Sequence, residues 1–246
     1  MLPEFTREEL AAGLDGVVEE LLAESGIWRP PVDAAEVARR LGIELAWDDR
    51  QSGRARFVRL GERYSPRDRP TILLRPDPRP ERRHWAIAHE IGEHAAYRVF
   101  ERWGVDPRET TPGARETVAS NLAGRLLLPS RWFSEDAIAC GWELFALKSR
   151  YATASHEMIA RRMLDCRPPV VVSIFDNGRA TFRRGNLPGR TPPPLRIELE
   201  CRRRAHLRGR PTSGRADSCS IQCWPIHEEG WKREILRLEV DECAFV

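Results

Sequence analysis

The sequence predicts an α+β protein in three parts: a mixed α/β N-terminal domain, a helical middle, and a small antiparallel, β-rich C-terminal region. Helical periodicity prevails up to the Arg-Pro-Pro run at 167–169, and strand-like segments prevail after it. Beyond that run, an Asp-Asn-Gly turn between two β-branched segments is typical of a hairpin. We therefore place the domains at residues 1–130, 131–166 and 167–246.

Local patterns position the elements of the N-terminal domain. Thr6 and Glu9 form a capping box before an apolar helical face, and Asp33 caps a shorter helix that ends at Gly42. Short runs rich in β-branched and aromatic residues favour strands. In chain order we expect helices over residues 6–25 and 34–41, strands over 43–47, 55–60 and 71–74, and helices over 84–102 and 114–128.

The remaining elements are helical first and extended afterwards. A helical stretch over residues 134–164 is interrupted by a polar turn at 151–155, which gives it a helix-turn-helix character that any helical hairpin would share. The C-terminal region then begins with the hairpin strands 170–175 and 180–184. After a loop rich in Pro and Gly, we expect three further strands, over residues 196–207, 218–225 and 232–240.

Composition restricts the class of protein. Hydrophobic residues make up 41% and charged residues 31% of the 246 positions, an ordinary globular mixture. The formal net charge of +3, with both signs interspersed, argues against a dedicated nucleic-acid protein, although it leaves a local basic patch open. No apolar run approaches the roughly 20 residues of a membrane span, and residues 1–24 lack the features of a signal peptide. We expect a cytoplasmic protein without a membrane partner, whose six cysteines, Cys243 included, are reduced thiols.

The strongest functional pattern is the run H-E-I-G-E-H at residues 89–94, within a predicted helix. Residues four apart on a helix differ by about 40° and about 6 Å of rise, so His89 and Glu93 can bind one metal ion. Glu90 then lies beside the ion as the candidate catalytic base. His94 is turned by about 140° from His89, and it is an alternative ligand only if the helix is locally distorted.

A third ligand is available in the next predicted helix. Glu116 shares one helix face with three small residues, at 119, 120 and 123, which would let this helix pack closely against the first. Gly92 is a poor helix former, and its position in the middle of the first helix suggests the close approach of another backbone or of a substrate. We therefore expect His89, Glu93 and Glu116 to form an altered zincin site in which the following helix supplies a glutamate.

With these residues in place, the chain resembles the ImmA/IrrE family of metallo-endopeptidases over most of its first 165 residues. Residues 85–92, together with Arg82, are similar to the family's sequence before and into its H-E-L-G-H core. Residues 116–129 are similar to its E-x-x-A-x-x-x-A-x-x-L-L-x-P helix, and residues 26–43 to its usual upstream run. The resemblance implies a zinc-dependent endopeptidase with a zincin-like fold, a helix-turn-helix-like middle and, in some members, a sensor-like β domain. Known members cleave repressors, which implies a protein substrate such as a transcriptional repressor.

The chain departs from that family at one ligand, because it has H-E-x-x-E-H in place of H-E-x-x-H. His94 fits the place where some members carry a second histidine, so Glu93 reads as a substitution without a shift of register. Two carboxylates and one histidine would bring a divalent ion to net charge zero, against +1 for the usual ligands. The metal would then activate its water less strongly, and Mn or Fe would compete with Zn.

Two hypotheses follow from the motif. The first is a metal-dependent endopeptidase in which Glu90 is the base; Tyr97, on the same helix face, is either an oxyanion donor or a tyrosine at the edge of the core. The second is a non-catalytic regulatory or binding protein on the same scaffold, with a structural or vestigial metal site.

DNA contact has weaker support. His156 and the arginines at 161 and 162 lie in the helix-turn-helix-like segment, and further arginines cluster between residues 202 and 215. Such residues can bind phosphates, but packing or a solvated surface is the commoner meaning of such runs. His206 and His227 have no spacing that predicts a partner.

Overall fold

The structure, a computed structural model, describes residues 6–60, 69–216 and 218–240, and the chain divides into two compact units, Met1–Ser155 and His156–Val246. In the described residues, the first unit has six α-helices and a three-stranded sheet, and the second has two α-helices and a five-stranded antiparallel sheet. The predicted α+β fold class is confirmed. The division between the units falls inside residues 131–166, and the three-part domain limits stay a prediction.

The first unit follows the local patterns of its sequence closely. Thr6 and Glu9 form the predicted capping box, and the Asp33 carboxylate accepts hydrogen bonds from the first backbone amides of the second helix. The third helix begins at Pro80, four residues before the predicted start, because proline is well tolerated in the first helical turn. The elements are α1 (Arg7–Glu24), α2 (Ala34–Arg40), β1 (Glu44–Trp47), β2 (Ala55–Leu60), β3 (Arg69–Leu74), α3 (Pro80–Arg102), α4 (Pro112–Leu127), α5 (Ser130–Ala139) and α6 (Leu144–Arg150).

The sheet of this unit has the order β1-β3-β2. Strand β1 pairs with β3 in parallel and β2 pairs with β3 antiparallel, so among the described strands β2 lies at one edge. Helix α3 packs against β2 and β3, and its buried residues include Ile87, Ile91 and Val99. The motif residues Glu90 and His94 contact the edge strand β2 at Phe57.

The second unit is built around one antiparallel sheet. Its elements are α7 (His156–Arg162), β4 (Val170–Asp176), β5 (Arg179–Gly185), α8 (Arg196–Arg208), β6 (Thr212–Ala216), β7 (Cys219–Glu228) and β8 (Trp231–Val240). The strand order is β5-β4-β8-β7-β6. The predicted hairpin joins β4 to β5 through Asn177 and Gly178, which both have positive φ as a two-residue type I′ turn requires. Helix α8 packs on β6, β7 and β8, and Cys201 and Ala205 enter the core that includes Val171, Ile221 and Leu236.

Helix α8 corrects one prediction, since residues 196–207 are helical and not a strand. The alternation Ile197-Glu198-Leu199 looks like a strand, but the structure buries Glu198 and leaves Leu199 half exposed. Burial of Glu198 is possible because Arg183 donates two hydrogen bonds to its carboxylate, at 2.7 and 3.0 Å. The helix ends at Gly209, whose φ of 58° fits the left-handed conformation of a C-terminal cap.

The structure also bears on the membrane and on the cysteines. No helix among the described residues is both long enough and apolar enough to cross a membrane. Five cysteines in the described part of the chain are free thiols: Cys140, Cys166, Cys201, Cys219 and Cys223. Cys243 lies outside the described residues.

Candidate metal centre

Helix α3 presents the predicted motif along one side. It is a regular α-helix through residue 94, so His89 and Glu93 lie one turn apart, as the sequence predicts. The residues that fix its rotation are the buried Ala86, Ile87 and Ile91. Because these residues are in the core, the ligand face of the helix is held in one orientation.

Helix α4 approaches helix α3 at a glycine. A Cβ atom added to Gly92 would lie 2.6 Å from the backbone oxygen of Ala119 on α4 and 3.2 Å from its Cα and carbonyl carbon. The close approach predicted from Gly92 is therefore present, and its partner is the small-residue face of α4. Ala119 and Ala123 are fully buried in this contact region. Glu116 is one turn before Ala119, so the contact carries it to the motif.

Three potential ligands meet at this point. The nearest ligand atoms of His89, Glu93 and Glu116 all lie within 4.8 Å of one another, and His89 Nε2 is 3.4 Å from Glu116 Oε2. The other ring nitrogen of His89, Nδ1, is 3.5 Å from the Ser120 hydroxyl, a long hydrogen bond that orients the ring. The His89 side chain is largely buried, whereas Glu93 and Glu116 are exposed. The group thus lies at the surface of the first unit, open on the side of its two carboxylates.

Glu90 occupies a different environment from these three residues. It is only 6% exposed, and its Oε2 accepts a 2.7 Å hydrogen bond from the backbone amide of Phe57 on β2. Burial raises the pKa of Glu90, and the carboxylates of Glu93 and Glu116 raise it further, whereas the Phe57 amide and His89 lower it. The catalytic candidate is therefore a fixed, partly desolvated carboxylate, held between helix α3 and the edge strand.

A cleft of about 280 Å³ is lined by His89, Glu90 and Glu116, and Glu93 is not among its lining residues. Its wall on α3 includes Trp85, whose ring lies 6.4 Å from that of His89 at an interplanar angle of 34°. The residues that line it are Arg54, Ala55, Trp85, Ala86, His89, Glu90, Glu116 and Ser120. The sequence did not indicate three contributors from the region of strand β2, because no pattern there assigns it to the site. These are Arg54, Ala55 and the backbone amide of Phe57.

The two secondary candidates do not join the ligand group. The His94 ring stacks on Phe57 with centroids 4.7 Å apart, and burial, followed by Arg59 and Arg98, lowers its pKa. Tyr97 is 43% exposed, its hydroxyl accepts a 3.4 Å hydrogen bond from Arg98, and it does not line the cleft. Glu93, and not His94, is thus grouped with His89 and Glu116, and Tyr97 lies outside the cleft.

The basic residues of the helix-turn-helix-like segment are engaged in packing within the second unit. The Arg161 guanidinium lies 4.3 Å from the centre of the Phe182 ring, and the Arg162 side chain is buried and paired with Asp165 at 2.6 Å. Two of the three candidate phosphate contacts in this segment therefore have a structural role.

The fold and the grouped donors define an α+β protein with a candidate metal centre between two helices, and comparisons with known proteins agree with this class. A family model described as the IrrE N-terminal-like domain, a peptidase family, matches residues 48–164, which include all four residues of the motif site. The match spans just under half of the chain. It supports the resemblance to the ImmA/IrrE family and indicates a scaffold of the metallopeptidase or regulator type.

A solved structure shares the fold over most of both chains. It is described as a Mycobacterium tuberculosis transcriptional regulator, and it matches with a TM-score of 0.62 at 19% identity. The alignment covers 94% of this chain and 76% of that one. At this identity the likeness concerns the fold alone. No curated protein matches the sequence.

Proposed function

We propose that this chain is a metal-dependent endopeptidase of the ImmA/IrrE type that acts on a protein, such as a transcriptional repressor. The observation that carries the proposal is the convergence of His89, Glu93 and Glu116 within 4.8 Å, with the buried Glu90 lining the same cleft as His89 and Glu116. Glu90 is the catalytic residue, and the other three are the metal ligands.

The donors fit a divalent metal. One imidazole nitrogen and two carboxylate oxygens are ligands that zinc accepts, and three protein ligands leave a position for water. When bound, the metal supplies Lewis acidity to that water and to a peptide carbonyl. Because two of the three ligands are carboxylates, Mn²⁺ and Fe²⁺ are competing occupants. Ser120, behind His89, has the position of a residue that fixes the imidazole tautomer.

The protein groups around the cleft have separate tasks in this reaction. Glu90 accepts a proton from the attacking water and later donates it to the leaving amine. The backbone amide of Phe57 holds one carboxylate oxygen of Glu90, so the base keeps its orientation. Among the strands that the structure describes, β2 lies at the edge of its sheet beside the cleft, where an extended peptide could pair with it. An extended polypeptide is therefore the substrate class that the cleft fits best.

The alternative function is that of a non-catalytic regulator with a structural or vestigial metal site. The observation that favours it is Glu93, because a second carboxylate ligand reduces the net charge of the site and its Lewis acidity. In this alternative the second unit or the helical middle contacts a partner protein or DNA.

The decisive experiment compares two Glu→Gln substitutions on helix α3. Glu90→Gln should retain the metal and lower cleavage at least about 100-fold, since it removes only the base. Glu101→Gln, an exposed change on the same helix, is the matched control and should behave as the wild type. The assay incubates each metal-loaded protein with an extract of the source cells and quantifies newly formed protein N-termini by mass spectrometry.

The outcomes separate the two functions. New N-termini that appear with the wild type and Glu101→Gln and are absent with Glu90→Gln support the peptidase. The same N-termini with all three proteins, or none with any of them, contradict it and favour the regulator. Loss of the metal in His89→Ala, measured by elemental analysis, tests the site independently of cleavage.

A further inference from the structure

A second group of potential metal ligands lies in the second unit, where the sequence gives no spacing that predicts it. His206 is in the last turn of α8, His227 is on β7 and Glu234 is on β8. One ligand atom from each lies within 4.8 Å of the other two. No residue of this group belongs to the cleft at α3.

The sheet register explains why these three side chains meet. Glu234 is paired with Pro225 across the β7–β8 ladder, and His227 is two residues further along β7 on the same face of the strand. The two side chains are therefore diagonal neighbours. Helix α8 packs on this face through Cys201 and Ala205, which brings His206 over the same point. The end of α8 and the two strands of the β7–β8 hairpin thus converge on one spot.

The carboxylate of Glu234 is at the centre of the group and is almost completely enclosed. Its side chain is 1% exposed, and both His206 Nδ1 and His227 Nε2 lie 2.8 Å from its Oε1 atom. Within the described residues, its other oxygen, Oε2, has no hydrogen-bond partner. Burial of a carboxylate with one unpaired oxygen costs free energy, so this oxygen requires a partner such as a bound cation.

We propose that His206, His227 and Glu234 bind a divalent transition metal of the zinc type. Two imidazole nitrogens and one carboxylate are a frequent donor set for zinc and iron, and they leave a fourth position for water. The imidazole side of the group is accessible, because the His206 side chain is 40% exposed. The ion would tie the last turn of α8 to the β7–β8 hairpin.

The distances require only a small adjustment for this role. Two ligand atoms at zinc-bond length from one tetrahedral ion are about 3.4 Å apart, whereas each histidine nitrogen is 2.8 Å from Oε1. An opening of about 0.6 Å, or use of the unpartnered Oε2 as the ligand atom, satisfies this geometry. The His206 and His227 rings stand 5.4 Å apart at 66°, so they approach the carboxylate from different directions, as ligands of one ion do.

The alternative is a triad held by hydrogen bonds alone, in which each imidazole donates a proton to Oε1. Metal binding and this triad make opposite requirements of the same nitrogen atoms, because a ligating nitrogen carries no proton. Added metal therefore distinguishes them. The inference does not depend on the proposed peptidase, since the two sites share no residue and can fail separately.

The first experiment counts zinc with the α3 site disabled. Full-length His89→Ala, stripped with chelator, is titrated with Zn²⁺ in a calorimeter, and we expect one equivalent to bind. Adding His227→Ala should remove this equivalent or weaken its affinity at least about 100-fold. Adding Glu239→Gln instead, a carboxylate change on the same strand β8, should leave it intact. Absence of Zn²⁺ binding in His89→Ala, or its persistence in His89→Ala/His227→Ala, overturns the proposal.

The second experiment needs no substitution in the new site and so avoids any failure to fold. Chelator-treated His89→Ala is exposed to diethyl pyrocarbonate with and without Zn²⁺, and modification of each histidine is followed by mass spectrometry. Zn²⁺ should slow modification of His206 and His227 and leave His156 unchanged. Equal modification of His206 and His227 in both samples means a triad without metal and overturns the proposal.

Discussion

The contact between Gly92 and Ala119 offers a sharp test of how the first site is assembled. In Gly92→Ala, the new methyl group would lie 2.6 Å from a backbone oxygen that belongs to a buried helix. A normal separation is about 3.5 Å, so α3 and α4 must move apart by about 0.9 Å. Rotation of a side chain cannot relieve the contact, because it joins a Cβ atom to a backbone oxygen.

The expected magnitude is the difference between two effects. Alanine is a better helix former than glycine by about 1 kcal/mol, whereas overpacking of a core costs about 1–3 kcal/mol. Since the clash is with a backbone, we expect the upper part of that range and a net destabilisation of about 2 kcal/mol. Gly124→Ala, on α4, is the matched control. Its new Cβ would meet only Trp85, at 3.9 Å, so it should stabilise by up to about 1 kcal/mol.

Urea unfolding of the full, metal-free chain measures both variants. A Zn²⁺ titration of the same proteins reports on the site, because the separation of the helices also moves Glu116 away from His89, now 3.4 Å apart. We expect at least about 10-fold weaker binding in Gly92→Ala and unchanged binding in Gly124→Ala. Gly92→Ala with a stability equal to or above that of Gly124→Ala would refute the packing argument.

Three further predictions concern charge. Glu93→His should shift metal preference from Mn²⁺ towards Zn²⁺ by at least about 10-fold and increase cleavage; a competition titration with an unchanged ratio counts against Glu93 as a ligand. Asp15→Ala should cost about 3 kcal/mol in unfolding free energy, because it leaves the buried Arg125 without its carboxylate partner; a loss below about 1 kcal/mol would place the pair among surface ion pairs. Hydrogen bonds from Arg233 lower the pKa of Asp176 in the folded protein. The ionised Asp176 therefore stabilises the fold fully above the pKa of the unfolded chain, near 4, and this stabilisation is lost as the pH falls from there through the lowered pKa of the folded protein. The stability difference between wild type and Asp176→Asn, measured by urea unfolding, should therefore shrink between pH 5 and pH 2.5; a constant difference contradicts it.

The sequence was most informative where one local pattern determines structure. The capping box of α1, the hairpin at 176–178 and the amphipathic helix α3 all rest on neighbours within a few residues, and all are present. Helix α8 was missed for the opposite reason. Its alternating Ile197-Glu198-Leu199 run has a strand-like period, and the charge of the buried Glu198 is compensated by the distant Arg183.

In the candidate sites, too, the sequence predicts what local patterns determine and misses contacts between distant segments. His89, Glu93 and Glu116 could be grouped from sequence because helix geometry fixes two of them and a small-residue face brings in the third. Phe57 contributes a backbone amide, which has no signature in any sequence pattern. The group around Glu234 joins a helix end to two strands, and it depends on a helix, α8, that the sequence analysis assigned as a strand.

The substitution at residue 93 has two electrostatic consequences that oppose each other. Without a cation, Glu90, Glu93 and Glu116 repel one another across a partly buried cleft, and each added carboxylate strengthens the attraction for a dication. With the cation bound, the same carboxylates neutralise it and leave less charge to polarise water. Tight metal binding is therefore no evidence of catalysis in this chain, and weak catalysis is no evidence against the metal. Glu93→His weakens the attraction for the dication and leaves it more charge to polarise water, so metal affinity and cleavage must both be measured on this variant to decide between the peptidase and the regulator.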